Sequence, residues 1–343
     1  MNGCQRMRAA LEGARPAAPP VMLHNFMMAA AECGVSMGAY RRDPAVIARC
    51  FIESVERYGL DGIVVDVDTA TLAGAVGVPV VFPDDEPAVC RGELLSSLAE
   101  ARDLAPVDIA GYQGVQVWLE AVRLIKRHFG NEIYVRGNCD QCPFSLAALV
   151  RGASGWMMDL MDPENVADAH LLLEFCAQAT TQFIALMAAT GAHMVSNGDS
   201  SSGPSVVSPL VYRTFAQPYE KRIVETAHRL GLPYALHICG KTESILADMV
   251  DTGSDALELD SLTDARRAAA ALSDRATFIG NLDPTSVLAL GTPDIVEEKT
   301  RELMDIFSGS RRFILNAGCA IAASTPPGNI RAMVRAARQG YEE

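Results

Sequence analysis

Several absences narrow this chain before any motif is considered. No Lys/Arg cluster interrupts an acidic balance of 42 Asp and Glu against 29 Lys and Arg, a formal charge of -13. That argues against nucleic acid and anionic membrane surfaces as partners. Residues 1–20 carry charge and no apolar run of signal-peptide length. The most apolar long stretch, 171–190, contains Glu174, Gln178 and Gln182. Its Leu172, Cys176, Ala179, Phe183 and Met187 recur at helical spacing, the pattern of an amphipathic helix and not of a membrane span. No glycine-rich dinucleotide fingerprint, no phosphate-binding G-x-x-x-x-G-K-[ST] and no short repeat occurs. Nine cysteines without an export signal suit reduced thiols in a cytoplasmic protein.

What is present is a large supply of core. Hydrophobic residues make up 49% of the 343 and charged ones 21%, which excludes a disordered or fibrous chain. Short apolar runs at 21–26, 62–68, 132–136, 193–196, 234–237, 256–259, 277–280 and 313–316 alternate with helical patterns at 44–58, 163–190, 209–230, 294–307 and 326–338. The runs lack strict alternation, as expected of parallel strands buried on both faces. Ser208-Pro209 and Thr325-Pro326 pair a capping hydroxyl with a first-turn proline, and Pro218 should kink its helix. Strand followed by helix, about eight times, predicts an α/β fold: one (βα)8 TIM barrel over residues 1–343, with residues 1–18 as an N-terminal helical extension.

Active sites of such barrels lie at the C-terminal ends of the strands. Leu236-His237-Ile238-Cys239-Gly240 closes the fifth run and puts an imidazole and a thiol on the same side of a strand end. Both are donors suited to Zn2+. Cys319, in Asn316-Ala317-Gly318-Cys319 after the last run, offers a third donor and leaves one metal position open. Spacing alone leaves equal room for two buried thiols and a hydrogen-bonded core histidine. Cys139 and Cys142 have zinc-knuckle or redox spacing but no second pair, which favours packing or pocket lining. Cys4, Cys33, Cys50, Cys90 and Cys176 are expected as filler.

Asp66 and Asp68 end the second run, and Asp68, nearer the end, is the better candidate for the mouth. Asp199 follows the run 193–196, and Glu258 and Asp260 flank the end of the run 256–259. Any of these could orient His237, take a proton or ligate a metal, and each could equally be a solvated loop acid or a helix cap. His24 and Asn25 are candidates to line the mouth. His128, His170 and His228 fall in charged helical patterns and are expected at the surface.

With these residues in view, the chain resembles the uroporphyrinogen decarboxylase superfamily, and most of all its methylcobamide:coenzyme M methyltransferase branch. The similarity runs through Arg6-Met7-Arg8-Ala9-Ala10-Leu11-Glu12-Gly13, Asp61-Gly62-Ile63, Gly280-Asn281-Leu282-Asp283-Pro284 and Thr325-Pro326-Pro327-Gly328-Asn329-Ile330. The resemblance implies a (βα)8 barrel of the uroporphyrinogen decarboxylase type and sets Asp68 where the decarboxylases carry their pyrrole-binding aspartate; Asp68 and, from its loop position, Asp199 are the candidate catalytic residues. Decarboxylases of the family carry an arginine-rich segment after the first strand. Here that segment is Leu23-His24-Asn25-Phe26-Met27-Met28-Ala29-Ala30-Ala31, with no arginine until Arg41, which suits a polyanion poorly.

The methyltransferase branch instead uses His-x-Cys and a distant Cys as zinc ligands, a pattern matched by His237, Cys239 and Cys319. The function so implied is methyl transfer between a methylcorrinoid and a thiol, with coenzyme M the default acceptor. Zn2+ is then the cofactor and a methylcorrinoid the co-substrate. No Asp-x-His-x-x-Gly corrinoid signature occurs in the chain, so the resemblance implies a corrinoid-binding protein and a small thiol as partners. A homodimer is compatible with such a barrel. The alternatives are a decarboxylase-like lyase anchored on Asp68, a corrinoid-dependent demethylase running in the reverse direction, or a barrel that binds without turnover.

Overall fold

A computed structural model describes residues 1–339. Eight parallel strands follow one another in chain order: β1 (Met22–Leu23), β2 (Gly62–Val65), β3 (Tyr134–Gln141), β4 (Met194–Gly198), β5 (Tyr234–Ile238), β6 (Ala256–Leu259), β7 (Thr277–Leu282) and β8 (Phe313–Ala317). A parallel bridge from Val21 to Leu315 joins the first edge to the last and closes the barrel. All eight predicted runs are therefore barrel strands. Their ends shift by a few residues, most at β3, which runs on through Asn138 and Cys139 with a register shift against β4.

The helices start where their caps stand. Asp43 caps Pro44–Tyr58 through the Ala45 N–H, and Gly59, at φ 65, ends it in the left-handed conformation. The expected helix over 209–230 is broken: a single turn at Pro209–Val211 passes into a π-helical turn at Tyr212–Ala216, and the regular helix resumes at Gln217–Arg229. Pro218 lies two residues beyond that turn. It has no N–H to donate to a carbonyl one turn back, so the chain widens there. The long apolar helix Val166–Ala188 has the length and composition of a bilayer span. It buries eleven of its residues, including Leu172, Cys176, Phe183 and Met187, against the barrel's other elements. A short antiparallel hairpin, Val80–Val81 with Val89–Cys90, was not anticipated from the sequence.

The barrel interior is layered. At the N-terminal end Met22, Val64, Tyr134, Met194, Ala235, Ala256, Ile279 and Ile314 meet Cys4, Met7, Ala10 and Leu11 of the helix Gly3–Glu12, which plugs the floor. Side chains alternate across a strand, so the next inward position lies two residues on. At every strand that position is polar: His24, Asp66, Arg136, Ser196, His237, Glu258, Asn281 and Asn316. The change from an apolar floor to a polar layer in one step sets the depth at which chemistry can begin.

The plug makes a stability prediction. Met7 is fully buried in the floor, so Met7→Ala should cost about 2–5 kcal/mol in urea unfolding. Val206→Ala, on an exposed loop, should stay within about 0.5 kcal/mol.

Candidate functional site

Above the polar layer a cavity of about 350 Å³ opens at the C-terminal end of the barrel. One wall is apolar, with Phe26, Met27, Met37, Ala320 and Ala323. The lining also holds His237, Cys239 and Cys319. His237 is the last inward residue of β5, and Cys239 follows two positions on, facing the same side. Cys319 comes from the loop after β8.

Their donor atoms lie within 4.8 Å of one another, the one such His/Cys/Asp/Glu group found among the described residues. Cys239 Sγ stands 3.0 Å from His237 Nε2 and 3.9 Å from Cys319 Sγ. Both thiols are free. Two thiolates on one tetrahedral Zn2+ stand about 3.8 Å apart, given Zn–S bonds of about 2.3 Å, so the sulfur pair fits such an ion. The nitrogen–sulfur pair is closer than two ligands of one ion would be, at hydrogen-bond distance.

His237 Nδ1 donates to the backbone carbonyl of Glu258 at 3.0 Å. A carbonyl can only accept, so Nε2 is the nitrogen turned to the sulfurs, the arrangement that orients a metal-binding histidine. Without a metal the three groups polarise one another. The contact with Cys319, with help from the His237 imidazole, pulls the Cys239 thiol down to about 3 against the effect of burial. The same contact, together with burial, pushes Cys319 far up. Burial works to lower His237, but the neighbouring Cys239 thiolate overrides it and raises the imidazole to about 9.

Glu258 organises the floor of the cavity. Its carboxylate accepts from Arg136 Nη2 at 2.5 Å and from Asn316 Nδ2 at 2.8 Å. Burial alone would raise this acid. Arg136 and the imidazoles of His237 and His24 outweigh it and hold the carboxyl down to about 2. Nearby, His24 Nε2 stands 2.6 Å from Asp66 Oδ2.

The expected mouth residues divide. Asp68 lines the cavity, but its oxygens accept from the Ala70 and Thr71 N–H groups and the Thr71 hydroxyl at the start of the helix Thr71–Ala75. Burial raises its carboxyl. Asp199 is fully buried and does not line the cavity. It accepts from the Ser145 N–H, and its own N–H donates to the His237 carbonyl, both at 2.8 Å, so it braces the end of β5. Burial raises it to about 6. Asn25 is also buried, donating to Ser54, whereas His24 lines the cavity as expected. Cys139 and Cys142 are fully buried and do not line this cavity. Cys142 touches the Tyr234 hydroxyl at 3.4 Å, and burial pushes both thiols well up. They pack.

Among the lining residues not singled out in the sequence are Arg136 and Asp140. Both follow the two-residue step: Arg136 lies two beyond the apolar Tyr134, and Asp140 two beyond Asn138. Arg41, absent from the first-strand segment, also reaches the cavity. Its guanidinium donates to the carbonyls of Pro83 and Glu86 and faces Asp68 at 3.8 Å.

The comparisons with known proteins agree with the barrel. The sequence model of the family described as uroporphyrinogen decarboxylase (URO-D) matches residues 3–340. The methylcobamide:CoM methyltransferase MtbA of Methanosarcina mazei is 34% identical over 220 residues, 64% of this chain. That match spans 62% of the relative's length, under two thirds of it. MtaA of Methanosarcina barkeri is 26% identical over 313 residues, covering 90% of this chain and 88% of the relative. A uroporphyrinogen decarboxylase of Synechococcus is 28% identical over 297 residues, covering 84% and 80%. Among solved structures, a methyltransferase from Methanosarcina mazei superposes over 100% of both chains with a TM-score of 0.90 at 22% identity, a likeness of fold.

Glu258 gives a pH prediction. A carboxyl held down to about 2 from an ordinary 4.5 contributes stability that is full above about pH 4.5 and is lost as pH falls toward 2. Glu258→Gln should therefore flatten the stability profile across that window in urea unfolding, while lowering stability at pH 7.

Proposed function

The chain belongs to the uroporphyrinogen decarboxylase family, and from that premise we propose that it is a methyltransferase moving a methyl group from a methylcorrinoid to a thiol held at a zinc site of His237, Cys239 and Cys319. The observation that carries this reading is the N/S/S donor cluster on the wall of the barrel-mouth cavity. Relatives named methylcobamide:CoM methyltransferase support the reaction class, and coenzyme M is the first acceptor to test.

Zn2+ bound by these three residues would hold the acceptor's sulfur as a thiolate at neutral pH, a far better nucleophile than the thiol. The protein's own groups do the rest. The Glu258 carbonyl fixes the His237 ring, and the Asp199 N–H fixes the strand end that carries it. Phe26, Met27, Ala320 and Ala323 offer an apolar wall that keeps competing water away from a methyl group. In the transfer the acceptor sulfur forms the new S–CH3 bond while the carbon–cobalt bond breaks, its electron pair staying on cobalt. The methyl donor would arrive on a corrinoid protein docked at the open end of the barrel.

A decarboxylase-like lyase is the second reading, favoured by Asp68 at the cavity wall and by decarboxylase relatives of similar identity. Against it, the two arginines lining the cavity each face a carboxylate, Arg41 toward Asp68 and Arg136 on Glu258. A porphyrinogen with many carboxylates needs uncommitted cations.

Elemental analysis should find one zinc per chain, and a Cys239→Ala/Cys319→Ala double variant should lose it; wild-type retention by that variant would overturn the site. Metal uptake must also displace protons from His237, raised to about 9, and from Cys319, raised further. Zinc affinity, measured against a chromophoric chelator, should therefore tighten by about two log units per pH unit between pH 6 and 8.

The reaction is tested anaerobically by mixing zinc-loaded protein with methylcobalamin and a thiol panel and following loss of the methyl–cobalt absorption. His237→Ala should slow transfer by at least about 100-fold, and Asp68→Asn much less. Release of carbon dioxide from uroporphyrinogen, with no thiol methylated, would establish the second reading instead.

A further inference from the structure

We infer that Lys126, at the end of the barrel opposite the cavity, is an uncharged, nucleophilic amine and a site of covalent acylation by activated acyl donors, acyl phosphates and thioesters. The inference is independent of the methyl-transfer reading. Lys126 lies half-buried in the last turn of the helix Gln113–Phe129. Its Nζ stands 2.6 Å from His193 Nε2, 2.6 Å from the Gly130 carbonyl oxygen and 3.4 Å from Asn131 Oδ1. His193 immediately precedes β4, and its Nε2 also lies 3.9 Å from Cys4 Sγ of the plug helix Gly3–Glu12. The Tyr134 ring stacks on the imidazole with centroids 5.0 Å apart.

Counting protons decides the charge of the amine. The Val135 backbone N–H donates to His193 Nδ1 at 2.9 Å, so Nδ1 offers a lone pair and the neutral ring carries its one proton on Nε2. An ammonium at 2.6 Å would set a second donor against that N–H. A neutral amine resolves the conflict: its lone pair accepts from Nε2, and its two N–H groups meet the oxygens of Gly130 and Asn131. None of these three contacts is a carboxylate. The surroundings act in the same direction. Burial lowers the Lys126 ammonium from its ordinary value and the Arg8 charge adds to it, against an opposing pull from the Cys4 thiol. Burial also brings the His193 imidazolium down to about 4. Lys299, by contrast, is held as an ammonium by Glu302 at 2.8 Å.

A desolvated, unprotonated lysine is a nucleophile toward carbonyl carbon. When Nζ turns outward to react, the Nε2 proton has a second acceptor in Asn131 Oδ1, 3.0 Å away. Attack forms an N–C bond and breaks the C–O or C–S bond of the donor. The leaving phosphate or thiolate departs with that electron pair and takes one amine proton. The amide product keeps a single N–H, too few for both oxygens that Nζ held. Those oxygens belong to the segment that anchors the plug: Asn2 Nδ2 donates to the Asn131 carbonyl at 3.1 Å, and the Cys4 N–H to the Glu132 carbonyl at 2.9 Å. Acylation therefore loosens the attachment of the barrel floor.

The chain has four lysines, Lys126, Lys221, Lys241 and Lys299, so each can be followed by peptide mass spectrometry. The full chain is incubated at pH 7.5 with acetyl phosphate or, separately, with an acetyl thioester. Lys126 should be acetylated at least about fivefold faster than Lys299, and the two arms show which donor it prefers. With 13C at lysine Cε, its resonance should titrate at least about one pH unit below that of Lys299, and the His193 15N shifts should show the proton on Nε2. His193→Glu, which sets a carboxylate beside Nζ, should return acetylation to the rate of Lys299. The acetylated chain should exchange the plug amides of residues 3–12 faster than the unmodified chain, and equal exchange would overturn the link to the floor. Acetylation no faster than at Lys299, a titration at or above that of Lys299, or a His193 proton on Nδ1 would overturn the inference. None of these readouts involves zinc or a corrinoid, so methyl transfer stands or falls separately.

Discussion

The Glu258 carboxylate, cut off from water at the centre of the barrel, can stay charged only because Arg136 and Asn316 reach it from two other strands. Those contacts draw β3, β6 and β8 together across the interior. Its backbone carbonyl, on the same residue, takes the Nδ1 proton of His237 from β5. The orientation of the imidazole and the neutralisation of the buried charge therefore depend on one residue. Removing Arg136 alone would disturb both the charge balance of the floor and the setting of the donor cluster above it.

That arrangement needs a dry base. The plug of Met7, Ala10 and Leu11 against Met22, Val64, Tyr134 and Met194 closes the barrel from the other end. Fully burying such side chains contributes roughly 1.5–3 kcal/mol each, and it keeps solvent from screening the Arg136–Glu258 pair from below. In a medium of lower dielectric each charge acts more strongly on its neighbours. The wide spread between Cys239, pulled down to about 3, and Cys319, pushed far up, expresses that coupling. A cluster so polarised is poised to exchange its protons for a metal ion.

Around the mouth the chain holds its loops with acids whose oxygens accept backbone N–H groups. Asp199 joins the start of the helix Pro143–Val150 to the end of β5 through the Ser145 and His237 backbones. Asp68 and Asp140 both receive N–H groups from the first turn of Thr71–Ala75. Carboxylates at helix starts are favoured by the local dipole as well as by the bonds themselves. The apolar wall, by contrast, comes from Phe26, Met27 and Met37 and from Ala320 and Ala323 after the last strand. Polar depth and apolar rim thus share one cavity at the C-terminal end of the barrel.

The linear order of apolar runs and helical patterns was enough to determine the barrel, because parallel strands buried on both faces need no partner information to be recognised. His-x-Cys at a strand end and a cysteine after the last strand were legible for the same reason: alternation puts residues two apart on one side. Chain order could not show that Arg136 and Glu258, 122 residues apart, share one hydrogen bond. It could not separate Asp68, at the cavity wall, from Asp199, sealed behind it. Nor could it tell that Cys139 and Cys142, with metal-like spacing, lie buried away from the cavity. Those distinctions depend on which side of a closed sheet each residue faces and what meets it from other strands. Only closure of the barrel, through Val21 and Leu315, brings those distant positions within bonding range.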